Sequence, residues 1–158
     1  DCDALESITI PNGVTSIGDY AFYDCDALES ITIPDSVTSI GYKAFYNCDA
    51  LESITIPDSV TWIGGGAFEE CDRLQTFYGK YASEDNRCLI VNGVLIGFAG
   101  AGVDSYVISS GVNRIGSGAF SGCTALASIS MSFWLSQGFT IKSNAPRFIP
   151  STASWISA

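Results

Sequence analysis

Histidine is absent from the 158 residues of this chain. Its absence removes every Ser–His and Cys–His nucleophile pair and every zinc site built on imidazole, and with them most familiar hydrolases. Basic residues are scarce as well: 7 Lys and Arg stand against 17 Asp and Glu, a formal net charge of −10. Nucleic-acid binding needs clustered Lys and Arg against phosphates, so no nucleic acid is expected as a partner. No apolar run is long enough for a membrane-spanning helix, and no membrane insertion is expected. Charged residues make up only 15% of the chain and hydrophobic ones 47%, which excludes a disordered acidic tail. What remains is an acidic, apolar-rich chain of a length that suits one domain with a real core.

The chain repeats itself. Residues 1–23 (DCDALESITIPNGVTSIGDYAFY) match residues 24–46 (DCDALESITIPDSVTSIGYKAFY) at 19 of 23 positions, and residues 47–69 match the second copy at 18 of 23. In the second copy the fixed apolar positions are Cys25, Leu28, Ile31, Ile33, Val37, Ile40, Ala44 and Phe45. Ile31 and Ile33 flank Thr32, the alternation of a strand with one buried face. Pro34 ends that strand because it has no N–H for a ladder. Val37 and Ile40 are three apart, so the other side of the unit reads as a short extended or 3₁₀ segment. Gly41 follows where the chain turns, a place suited to positive φ. One 23-residue unit cannot bury eight apolar side chains alone, but stacked coils can. Each Ile31-type residue then meets Ile8 and Ile54, and Leu5, Leu28 and Leu51 form one interior file. At about 4.8 Å per parallel strand, about five coils make a rod roughly 24 Å long.

The fourth unit is interrupted. Its interval from Cys71 to Cys123 is 52 residues rather than 23. Phe77 stands where Ile54 stood, and the phase resumes at Tyr106, Ile108, Val112, Ile115, Gly116, Ala119 and Phe120. Between them, CLIVNGVLIGF places Asn92-Gly93 between two apolar runs, the signature of a type I′ hairpin expected to pack on the flank of the solenoid. The organisation expected is a solenoid over 1–135, in units 1–23, 24–46, 47–69, an interrupted unit 70–121 with a hairpin insertion at about 78–105, and a partial unit 122–135. Residues 136–158 read as a degenerate tail or C-terminal cap. With no initiator Met and no signal peptide, the chain reads as a fragment or processed product of something longer.

The run Leu28-x-x-Ile31-x-Ile33 resembles a leucine-rich repeat. Pro34, Val37-x-x-Ile40-Gly41 and Ala44-Phe45 make the unit similar to the BspA-like bacterial subclass of 23-residue repeats, and YASEDNRCLIVNGVLIGF is similar to hairpin insertions of that family. The unit departs from the general pattern in lacking an Asn ladder. The resemblance implies a leucine-rich-repeat solenoid, mainly β with short 3₁₀ or irregular segments and parallel stacked strands. It implies a cell-surface or extracellular protein, adhesion and binding rather than catalysis, with no enzyme residues and no cofactor to carry over.

Cys2, Cys25, Cys48, Cys71 and Cys123 share one repeat position and read as a buried thiol ladder, small and apolar, with no C-x-x-C for zinc. Cys88 in the hairpin is left open between a free and a paired thiol. Residues 1–72 hold 14 acids and one Lys, and residues 73–158 hold 3 acids and 6 bases. Stacking aligns Glu6, Glu29 and Glu52, and also Asp3, Asp26, Asp49 and Asp72. Calcium would relieve such columns, but no calcium motif accompanies them, so a solvated acidic rim is expected and no metal is assigned. The charge polarity also permits head-to-tail contact between rods. GFAGAG at 97–102 lacks the spacing of a dinucleotide fingerprint and reads as loop. The candidate binding face is the outward Ser7, Thr9, Ser30, Thr32, Ser53 and Thr55, joined by Trp62, which replaces Ser16 and Ser39 at a solvent-facing position. The function expected is non-enzymatic, an adhesin-like module holding a host matrix protein, another cell-surface protein or a glycan. The alternative is a structural spacer or self-assembling rod.

Overall fold

The computed structural model describes residues 2–132 and the backbone of a two-residue strand at 141–142. The tail expected at 136–158 lies outside the described residues apart from that strand. Alternating apolar and hydroxyl residues give the short strand β1 (Ser7–Thr9), and the Ser-Ile pair that follows each proline turn gives β2 (Ser16–Ile17). The pattern recurs as β3 (Ser30–Thr32) and β4 (Ser39–Ile40), then β5 (Ser53–Thr55) and β6 (Trp62–Ile63), then β7 (Thr76–Tyr78). Beyond it come β8 (Cys88–Val91), β9 (Val94–Phe98), β10 (Ser105–Ile108), β11 (Arg114–Ile115), β12 (Ser128–Met131) and β13 (Ile141–Lys142). The chain winds as a parallel-strand solenoid of about five turns. β1 pairs with β3 and β5 with β7 on one wall, and β2, β4 and β6 form a second wall, each in parallel register one unit apart.

The interior is a set of files of like residues. Leu28 and Leu51 are fully buried and Leu74 nearly so, with Leu5 packed at the head of the file. Phe22, Phe45 and Phe68 stack face to face, at centroid distances of 5.2 and 5.4 Å. Burial of each Leu or Phe stabilises by about 2 kcal/mol relative to exposure. Where an Asn ladder is lacking, cysteine, serine and threonine join successive turns. Cys48 Sγ donates to Phe22 O at 3.2 Å and Cys71 Sγ to Phe45 O at 3.1 Å, while Ser36 and Ser59 hydroxyls donate to Val14 O and Val37 O at 2.8 and 2.7 Å. The proline turns close with single bonds, Val37 N–H to Pro34 O at 3.0 Å and Val60 N–H to Pro57 O at 3.1 Å, rather than with a run of 3₁₀ helix.

The role expected for Gly41 is corrected by the backbone. The left-handed residues of the turn are Tyr20 (φ 58°), Lys43 (φ 49°) and Gly66 (φ 65°), and four residues further on Asp24, Asn47 and Glu70. They are held by bonds to the next turn, such as Tyr20 N–H to Tyr42 O at 2.9 Å and Lys43 N–H to Gly65 O at 3.2 Å. Gly41 is required for proximity instead. A Cβ there would run into the backbone of Asp19 and Gly18, and one at Gly64 would lie 2.5 Å from Tyr42 N.

The fourth turn carries the expected hairpin. β8 and β9 pair antiparallel about Asn92 (φ 50°) and Gly93 (φ 75°). It is part of the winding rather than laid on the flank: β9 pairs in parallel with β11, Leu95 opposite Ile115, in a separate sheet that repeats the way β2 pairs with β4. Gly100 then occupies the cysteine position of the fifth turn. Val103 N–H donates to Gly100 O at 3.0 Å, as Leu28 N–H does to Cys25 O, and a Cβ on Gly100 would lie 2.5 Å from Cys123 Sγ. The core divides there, one cluster running through Leu89 and Ala99 and a second around Leu95, Phe98, Ile108 and Phe120.

Candidate interaction surface

Because Ile8, Ile31 and Ile54 turn inward, their neighbours turn outward. Ser7, Thr9, Ser30, Thr32, Ser53 and Thr55 are all exposed. The ladders set Ser7 opposite Ser30 and Thr9 opposite Thr32, and β7 extends the two columns with Thr76 opposite Ser53 and Tyr78 opposite Thr55. The result is a flat hydroxyl-bearing wall ending in an exposed tyrosine. Arg73 Nη2 pairs with Glu52 Oε1 at 2.6 Å beside it.

Trp62 is exposed at 53%, but not on that wall. It lies on β6, in register with Ser39 of β4. The seven candidate residues therefore divide over two walls, six on the first and Trp62 on the second. The hairpin stands beside the indole without covering it, and Val91, Val94 and Arg114 line the same concavity.

A tyrosine cluster escaped the sequence reading. Tyr23 and Tyr46 stack with centroids 4.9 Å apart, Tyr20 meets Tyr42 edge-on at 5.5 Å, and Lys43 Nζ sits 4.1 Å from the centre of the Tyr46 ring. Lys43 also pairs with Glu69 at 3.5 Å. Part of the signal was available where the first two copies differ, Asp19 against Tyr42 and Tyr20 against Lys43, whereas Tyr23 and Tyr46 are the same residue in both copies and gave none.

Cys25, Cys48, Cys71 and Cys88 are buried free thiols, Cys123 is half-buried and Cys2 is exposed. Burial pushes Cys25 and Cys123 up to about 12 and Cys88 up to about 11. The Cys71 side chain and burial together also raise Cys48. Such thiols are protonated at neutral pH and poor nucleophiles. In the acidic column, burial and then Asp49 and Glu70 raise the Asp72 carboxyl. No group of three or more metal-ligating side chains gathers among the described residues. The geometry offers surfaces for contact.

Comparison with known proteins gives the same architecture. The family model described as BspA type Leucine rich repeat region matches residues 1–84 and 97–145, in six copies. Among solved structures, a leucine-rich cell surface protein from Faecalibacterium prausnitzii A2-165 is 38% identical with a TM-score of 0.73, over 82% of this chain and 36% of that one. The pneumococcal vaccine antigen PcpA is similar in fold alone, 22% identical with a TM-score of 0.56, over 79% of this chain and 39% of that one. The chain thus spans little more than a third of these relatives. No curated protein sequence matches it.

Proposed function

This chain belongs to the BspA-type leucine-rich repeat family, and from that premise we propose that it is a protein-binding, adhesin-like module of a bacterial cell-surface protein. The observation that supports this reading most directly is the first wall. Ser7, Thr9, Ser30, Thr32, Ser53 and Thr55 stand exposed in two straight columns, and their outward positions are not needed to seal the core. A repeated flat wall with alternate side chains outward is the surface a solenoid offers to a large partner. Tyr78, exposed at 45% where the threonine column ends, adds an aromatic contact of the kind enriched at interface hot spots. The reading is of binding without catalysis: burial raises the Cys25 and Cys88 thiols, and the chain has no histidine.

The test is retention on immobilised host matrix proteins, with wild type compared with a Thr9→Lys, Thr32→Lys, Thr55→Lys variant. These threonines are exposed, so the variant is expected to fold, with a melting curve as the check. Loss of retention supports the assignment, and undiminished retention of a folded variant overturns it. Light scattering across concentration and salt separates this module from a self-assembling rod, whose mass would grow with concentration.

A further inference from the structure

The wall of β2, β4 and β6 stops at β6, and the neighbouring sheet, in the order β11, β9, β8, does not pair with it. At this seam lies an open concavity of about 270 Å³ lined in part by Trp62, Ile63, Val91, Val94, Ile96 and Arg114. On β9, Val94 and Ile96 are half-buried, Ile96 packing against the first core cluster as well as lining the concavity, while Leu95 between them is fully buried. Arg114 is exposed and stands opposite Val94 in the β9–β11 ladder. The ion pairs of the described residues, Lys43 with Glu69 and Arg73 with Glu52, do not involve it. No carboxylate lines the concavity, in a chain whose net charge is −10. Exposed indole, half-buried aliphatic groups and one guanidinium therefore meet at the edge of a sheet.

We propose that this seam is a docking groove for an extended peptide segment of a partner protein, one that presents a carboxylate two residues from a bulky apolar side chain. Each part of the groove answers part of that ligand. The β6 edge suits an added strand, whose alternate side chains would lie along the outward face. Trp62 and the Val94–Ile96 strip cover an apolar side chain, and a planar guanidinium takes a carboxylate through two parallel hydrogen bonds. The aliphatic lining favours a peptide over a sugar, which would need more hydrogen-bonding groups. The groove lies on a different wall from the serine and threonine columns, so either site can fail without the other.

The probe is a fluorescently labelled peptide of sequence Ser-Val-Thr-Asp-Thr-Val, blocked at its C-terminus, titrated with the chain and followed by polarisation. Binding is expected in the micromolar to low millimolar range and should weaken about tenfold in Trp62→Ala and in Arg114→Gln. The Asn-for-Asp peptide should bind wild type about tenfold more weakly and lose nothing further in Arg114→Gln, because that pair is already broken. Both side chains are exposed, so melting curves of the variants should match wild type and establish that any loss is local. Absence of binding at millimolar peptide, or equal affinity of all three proteins, would overturn the proposal. So would binding of a glucuronic acid oligosaccharide in place of the peptide, or a dimer that Trp62→Ala dissolves.

Discussion

At Gly41 and Gly64 one turn of backbone lies against the turn before it with no room for a methyl group, whereas nothing lies within 4 Å of the site a Cβ would take at Gly18. The three glycines hold the same repeat position and differ only in whether a turn packs beneath them. Gly41→Ala is therefore expected to lower the unfolding free energy by about 2–3 kcal/mol, because backbone rather than a flexible side chain must give way. Gly18→Ala should be neutral or stabilising by up to about 1 kcal/mol, since its φ is not left-handed and the unfolded chain loses freedom. Urea titration of the two variants measures both, and equal losses would contradict the packing described. The glycine column was legible in the repeat, but its reason was not. Positive φ is adopted by Tyr20 and Lys43, residues with no preference for it, under the hold of bonds to the adjacent turn.

Among the elements, the loop between β7 and β8 is organised by one carboxylate. Asp85 accepts from the Ser83 hydroxyl at 2.6 Å, the Arg87 N–H at 3.2 Å and, from β10, the Tyr106 hydroxyl at 2.7 Å. Burial by itself raises the carboxyl, but these donors outweigh it and hold Asp85 below its ordinary value. A depressed carboxylate stabilises the fold at pH above its unfolded value, near about 4, and that contribution is lost as pH falls through the lower folded value. The melting-temperature gap between wild type and Asp85→Asn should thus be widest at neutral pH and close in the acid range. A gap independent of pH would remove the carboxylate from this role. Tyr106→Phe should cost about 1–3 kcal/mol at neutral pH, because the hydroxyl donates to the Asp85 carboxylate and accepts from Cys88 Sγ at 3.4 Å. The hairpin was legible in Asn92-Gly93, since few dipeptides supply two positive φ angles. The pairing of β9 with β11 was not, because an apolar run such as residues 94–98 suits any wall with a vacant edge.

For the whole molecule, stability is a property of interfaces between turns. Deleting residues 24–46 joins Tyr23 to Asn47 in phase and leaves every file of side chains intact but shorter. The product should fold, melt at lower temperature and show a calorimetric enthalpy smaller by about 16 kcal/mol, at about 0.7 kcal/mol per residue. Deleting residues 24–35 instead puts Lys43, Asp49 and Glu52 where the repeat has Ile31, Val37 and Ile40, and a cooperative transition should disappear. Should the in-phase deletion abolish folding while the out-of-phase one does not, the solenoid account would be wrong.

The period by itself determined the winding, the identity of the interior files and the outward set on β1, β3 and β5. Identical units shield one another best when like residues superimpose, and a strand alternates its faces whatever surrounds it. The tertiary structure alone decided which wall carries Trp62, that Tyr20, Tyr23, Tyr42 and Tyr46 gather at one corner, and that Arg114 comes beside the indole. Those placements depend on how far the backbone rotates through each corner and on where the longer fourth turn rejoins the wall. Hydrogen bonds between turns set both, and no single residue type encodes them.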